Sequence, residues 1–196
     1  MDPARIPIVQ DMILAQSPMA REEALAKLLP MQEEDFYGIL KAMNGLPVTI
    51  RLLDPPLHEF LPNAEELMVE ITKLKMQGGN EEEIREKEEF LRVVRSLSEL
   101  NPMLGHRGCR LGITFPEIYA MQARAIFLAA AKLVKEGYEV YPEVMIPLVI
   151  HVKELADLRK ITEDIAQEIM EQEGVTIPYK VGTMIEVPRA ALTADE

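Results

Sequence analysis

Apolar residues recur every three or four positions from Ile8 to Met43: Val9 and Ile13, then Ala24, Leu25 and Leu28, then Phe36, Ile39, Leu40 and Met43. This spacing predicts a helical lead-in, and Gly45 ends it. The period then changes. Pro47-Val48-Thr49-Ile50-Arg51-Leu52-Leu53 has the β-branched content of a short buried strand, stopped by Asp54-Pro55-Pro56. Leu67, Ile71 and Leu74 mark one helix and Ile84, Leu91 and Val94 the next, with Gly78-Gly79-Asn80 as the turn between them. Beyond Gly105-His106-Arg107-Gly108 a further helix has Pro116 in its first turn and Ile118, Met121, Ala125 and Leu128 on one face, and it ends at Gly137. The run Val144-Met145-Ile146-Pro147-Leu148-Val149 is apolar throughout, the pattern of a parallel strand covered on both faces. Leu155, Leu158, Ile161, Ile165 and Ile169 carry another helix to Gly174, and a last strand is expected from Tyr179 to Val187.

Strands alternating with helices of this length call for crossover connections and a parallel sheet. Two architectures satisfy that, a closed barrel and a doubly wound open sheet. No Gly-rich phosphate loop opens any helix, whereas the polar residues described below follow strand-like runs, as they do where barrel strands converge on one rim. The expected fold is therefore α/β, a partial (β/α)8 TIM barrel with about four parallel strands. A complete barrel typically takes about 250 residues. The chain is expected to divide into a helical lead-in over residues 1–44 and a barrel portion over 45–196, truncated at both ends.

Composition narrows the function classes. With 48% hydrophobic and 28% charged residues in 196, the chain can bury a good-sized core. Its 33 acidic against 21 basic residues leave a net charge of -12, which disfavours nucleic-acid binding because phosphate neutralisation needs basic clusters. The glutamates crowd helical segments, where they read as solvated surface. One cysteine rules out an intramolecular disulfide and fits a reducing compartment, and no apolar run approaches the roughly twenty residues that span a bilayer. A cytoplasmic chain with no membrane partner is expected.

Within that frame two arginines stand out. Arg51 lies inside an apolar run, where an unpaired guanidinium would cost several kcal/mol, so it must meet an anion. Asp54 or Glu186 could be a structural partner, or the anion could be a ligand. Arg107 sits between Gly105 and Gly108, whose small size lets backbone approach a ligand closely, and this favours ligand binding. Glu186, before Pro188 at the expected end of the last strand, could ligate Mg²⁺, which takes one or two carboxylates plus substrate oxygens and water. It could equally be the counter-ion of Arg107. His58, His106 and His151 show no metal-ligand spacing; His106 is a candidate for support beside Arg107. Cys109 reads as an inert buried thiol rather than a nucleophile.

The segments Arg51-Leu52-Leu53-Asp54-Pro55-Pro56-Leu57-His58-Glu59-Phe60 and Asn101-Pro102-Met103-Leu104-Gly105-His106-Arg107-Gly108-Cys109-Arg110 resemble the pyruvate, phosphate dikinase family. Pro142-Glu143-Val144-Met145-Ile146-Pro147 and Gly182-Thr183-Met184-Ile185-Glu186-Val187-Pro188-Arg189 continue the match in order. The resemblance implies the phosphoenolpyruvate/pyruvate-binding TIM barrel of a larger, homodimeric enzyme, cytoplasmic or, in a plant, in the plastid stroma. There pyruvate takes a phosphoryl group from a phosphohistidine on a separate domain of the same chain. By motif, Arg51 and Arg107 would hold that group and act in catalysis, Glu186 would bind substrate and Mg²⁺, and Asp54 would support the arginines. The family's ATP-grasp and phosphohistidine domains, a second magnesium carboxylate and a catalytic cysteine in Cys-Gly-Glu-His context do not match anything in this sequence, so the chain alone is expected not to turn over. The contrasting expectation is a non-catalytic anion-binding or interaction module.

Overall fold

The computed structural model describes residues 5–15, 17–54, 56–97 and 105–196. Two helices form the lead-in, α1 (Ile6–Leu14) and α2 (Pro18–Ala42). Ser17 starts α2, its Oγ accepting from the Ala20 N–H at 3.2 Å, and Pro18 presets the first helical φ. After β1 (Pro47–Arg51) and a 3-10 turn (Leu57–Phe60), Asn63 and Asn80 cap α3 (Ala64–Met76) and α4 (Glu81–Leu97) through their side-chain oxygens. Both helices begin with glutamates and α3 ends on Lys73 and Lys75, which suits the helix dipole. Then come α5 (Cys109–Thr114), α6 (Pro116–Lys135), β2 (Tyr141–Ile146), α7 (Val152–Glu173), β3 (Lys180–Thr183) and α8 (Pro188–Leu192).

The strands pair in parallel in the order β1-β2-β3, with Arg51 opposite Met145 and Met145 opposite Gly182. The order follows the chain without reversing, as in a segment of a (β/α)8 barrel and unlike a doubly wound sheet. The α/β class expected from periodicity is observed. The sheet has three strands among the described residues, where about four were expected. The apolar run at 144–149 is also not one strand covered on both faces. It divides at Pro147: β2 buries Pro142, Val144 and Ile146 on one face and leaves Tyr141, Glu143 and Met145 partly exposed on the other, and Leu148 and Val149 belong to the following loop.

The core lies on the helical side of the sheet. Helix α6 packs between α2 and α7, and Ile118, Ala123, Ile126, Phe127, Ala130 and Leu133 are all buried. Sequence spacing implied a single apolar face. The helix is instead covered nearly all round, as expected for one in the middle of a core. The Phe127 ring meets Tyr179 edge-on, with centroids 5.0 Å apart, and ties α6 to the segment entering β3. At the other end Arg21 of α2 reaches Glu117 at 3.0 Å and lies over the Phe115 ring at 4.1 Å, fixing the start of α6.

Candidate functional site

The candidate residues meet beyond the carboxyl ends of the strands. Arg51 is the last residue of β1, and the Leu52 N–H still donates to the Met145 carbonyl at 3.0 Å. One residue later the chain leaves the sheet. The Leu53 N–H donates to Gln122 Oε1 at 2.8 Å, and the Leu53 carbonyl accepts from the Tyr119 hydroxyl at 2.9 Å. This brings Asp54 inward, where it is only 2% exposed.

Asp54 gathers both arginines. Arg107 Nη2 lies 2.6 Å from Asp54 Oδ2, and Arg107 Nε donates to Asp54 Oδ1 at 3.2 Å and to the Asp54 carbonyl at 3.1 Å. Arg51 Nη1 reaches the same Oδ2 at 3.2 Å. A carboxylate this buried needs such partners, because removing one side of a buried pair typically costs about 3–5 kcal/mol. The Asp54 hydrogen bonds, opposed by partial burial and assisted by the charge of Asp54, push the Arg107 pKa still further up. The two guanidinium groups are therefore fixed side by side, with the Arg51 side chain 48% and the Arg107 side chain 20% exposed. Of the partners considered from sequence, Asp54 serves Arg51 and also takes the place offered to Glu186 as the direct ion-pair partner of Arg107.

Glu186 joins through the loop after β2. Its Oε1 accepts from the Leu148 N–H at 2.8 Å. Leu148 has φ 59, a conformation that a leucine adopts only under constraint. The constraint is visible: the Cys109 N–H donates to the Pro147 carbonyl and Cys109 Sγ to the Leu148 carbonyl, each at 3.0 Å. Gly108 has φ 58, and a Cβ there would lie 2.9 Å from two carbons of Leu148 and 3.2 Å from Asp54 Oδ1. The close approach that this glycine permits is thus to Leu148 and Asp54. Arg107, foreseen at a strand end, stands in the loop that enters α5, a helix too short for periodicity to announce.

His106 Nε2 lies 3.0 Å from Thr114 Oγ1 and its ring packs near Phe115, beside the loop that carries Arg107. His151 caps α7, its Nδ1 accepting from the Lys153 N–H at 3.1 Å. Cys109 is fully buried, and desolvation pushes its thiol up to about 12, so it stays protonated at neutral pH, as an inert thiol would. Pro55, residues 101–104 and the His58 side chain, all parts of the two motifs, lie outside the described residues. A cleft of about 150 Å³ opens between the start of α7 and α8, lined by Val149, Leu155, Thr183 and Ile185 among others; neither arginine lines it. Anion recognition needs the cations, so the candidate site is the open arginine pair.

Among the described residues no three His, Cys, Asp or Glu side chains group into a metal cage. Glu186 is a single exposed carboxylate. That fits a hard cation held chiefly by ligand oxygens and water, and does not fit a site built from protein alone.

Residues 7–196 match the family described as PEP-utilising enzyme, PEP-binding domain. Similar proteins include pyruvate, phosphate dikinase of Entamoeba histolytica, 53% identical over 193 residues, and pyruvate, phosphate dikinase 2 of Zea mays, 51% identical over 194 residues. The chloroplastic pyruvate, phosphate dikinase 1 of Arabidopsis thaliana is 50% identical over 192 residues. Each match takes in 98% of this chain but only 22%, 21% and 19% of the relative's length, respectively, so the chain spans about a fifth of the proteins it resembles. The match runs through both arginine segments and all three strands, and the chain belongs to the PEP-binding domain family of the PEP-utilising enzymes.

Proposed function

We propose that this chain supplies part of the phosphoenolpyruvate/pyruvate site of a pyruvate, phosphate dikinase, the enzyme that interconverts ATP, phosphate and pyruvate with AMP, pyrophosphate and phosphoenolpyruvate. The observation that carries this reading is the sharing of buried Asp54 by Arg51 and Arg107 at the carboxyl ends of parallel strands. Phosphoryl transfer asks little covalent work of a protein and much positioned positive charge. Two planar guanidinium groups held side by side present N–H donors that match phosphoryl and carboxylate oxygens.

In the reaction the enolate oxygen of pyruvate bonds to phosphorus while the bond from phosphorus to a histidine nitrogen breaks, and the histidine leaves with its electron pair. Arg51 and Arg107 bind the phosphoryl oxygens in both states, and Asp54 keeps the two forks aligned. His106 steadies the Arg107 loop through Thr114 and Phe115. Glu186, aimed by the Leu148 N–H, would hold Mg²⁺ together with substrate oxygens. The ion would supply charge balance for the enolate and phosphoryl oxygens.

The proton removed from the pyruvate methyl needs a further acid/base group. Cys109 cannot serve, since it is buried and held neutral. That group lies elsewhere in the longer enzyme, whose phosphohistidine domain donates the phosphoryl group, and this chain alone is inactive in turnover. The parent enzyme is a homodimer of the cytoplasm or plastid stroma. The chloroplastic naming of the Arabidopsis thaliana relative supports the second location for a plant protein.

Calorimetric titration of phosphoenolpyruvate with Mg²⁺ into the chain tests the site without requiring turnover. Saturable binding is expected, weakened about tenfold or more in Arg107→Ala and less in Arg107→Lys, which keeps the charge but loses the fork. Equal affinity in all three would show that the arginine pair is not the site.

A further inference from the structure

The arginine pair depends on where the chain goes after β1, and two side chains of α6 decide that. Leu53 is the residue at which the backbone leaves the sheet, and both its backbone polar groups are taken by buried side chains one helical turn apart. Gln122 Oε1 accepts from its N–H at 2.8 Å and the Tyr119 hydroxyl donates to its carbonyl at 2.9 Å. The peptide planes on either side of Leu53 are thereby fixed, and the second of them leads directly into Asp54. Tyr119 is 1% and Gln122 8% exposed, so neither bond is readily exchanged for water.

Tyr119 also touches the second arm of the site. A Cβ at Gly112 of α5 would lie 2.6 Å from the Tyr119 ring, so the helix that directly follows Arg107 rests on this ring, at a glycine. One tyrosine thus contacts the segments that carry both arginines. The Gln122 side chain in turn donates from Nε2 to the side-chain Oε1 of Gln32 in α2, at 3.5 Å.

We propose that Tyr119 and Gln122 are positioning residues of the anion site, acting on Asp54, and through it on Arg51 and Arg107, by clamping the backbone of Leu53. The proposal rests on the reading of the arginine pair as the phosphoenolpyruvate site. Neither residue needs to touch the ligand.

The test reads the arginine directly. In ¹⁵N-edited spectra of the chain, the Arg107 Nε–H, bonded to the Asp54 carbonyl and carboxylate, should exchange slowly with solvent. Tyr119→Phe and Gln122→Met each remove one end of the clamp with little change in shape. In both, Arg107 Nε–H protection should fall about tenfold and phosphoenolpyruvate affinity should fall with it, while the melt stays cooperative. Gln122→Glu, which keeps an oxygen acceptor for the Leu53 N–H, should restore protection. Unchanged Arg107 protection in folded Tyr119→Phe and Gln122→Met would overturn the proposal. Should either variant fail to fold, the unmodified chain still decides: the Leu53 amide, outside any strand or helix, should be strongly protected, and free exchange there would overturn the clamp. If the unmodified chain binds no phosphoenolpyruvate, the functional reading fails on its own, while the exchange arm still reports whether the clamp holds Arg107.

Discussion

Asp54 carries the site at the scale of single residues, because one buried carboxylate fixes two guanidinium groups that would otherwise repel each other. Gly108 is nearly as constrained. It combines a positive φ with a wall formed by Leu148 and Asp54, so Gly108→Ala meets both backbone strain and overlap. A loss of about 2–4 kcal/mol is expected, read as a lower urea midpoint with unchanged slope. A midpoint within error of the parent would mean that the loop relaxes freely and that the Gly108 contact does not hold it. Arg51 and Arg107 were legible in the sequence as cations set against Pro and Gly. Asp54 is one possible partner of Arg51 on sequence alone, and the family resemblance implies that it supports both arginines. Its direct pairing with Arg107 was not legible in local spacing, since the two are 53 residues apart and only the fold brings them together. Tyr119 and Gln122 were missed for a different reason: on a buried helix their side chains look like core, and nothing in local spacing says that their polar atoms serve the backbone of another segment. Leu148 gave no signal at all, because a left-handed leucine has no sequence mark comparable to glycine.

Among the elements, those with several turns of regular periodicity were legible. The apolar spacing located α3, α4, α6 and α7, and Pro116, Gly137 and Gly174 mark boundaries that the structure keeps. Short elements escaped. Helix α5 has six residues and the turn after β1 four, too few to show a period, yet both stand next to the site. The entry to α7 shows how an element end stabilises a loop near the site. Glu154 Oε2 accepts from the N–H groups of Ile150 and His151, at 2.8 and 3.0 Å, and so holds the chain just beyond Leu148. Glu154→Ala frees both donors and should cost about 1–2 kcal/mol in chemical denaturation. A cost below a few tenths of a kcal/mol would show that water replaces the carboxylate and that the cap does not anchor this loop.

At the scale of the molecule, the sheet separates two environments. Its helical side is a dry core built around α6, and its other side carries Thr49, Glu143 and Lys180 in a row across the three strands. Thr49 Oγ1 and Lys180 Nζ each donate to Glu143 at 2.9 Å. The arginines lie at the carboxyl rim of this sheet, on a chain whose net charge is -12. A field of that sign repels a phosphorylated acid, so binding must come from local organisation and not from overall charge. Asp54→Asn sets the two influences against each other: it removes one negative charge from the rim and also the carboxylate that aligns both guanidinium groups. The decisive measurement is the affinity of folded Asp54→Asn for phosphoenolpyruvate with Mg²⁺, compared with that of the unaltered chain. If the site is an arginine pair organised by Asp54, affinity falls about tenfold or more despite the gain in positive charge. Tighter binding would show that charge alone governs recognition and would contradict the assignment of Asp54 as the residue that builds the site.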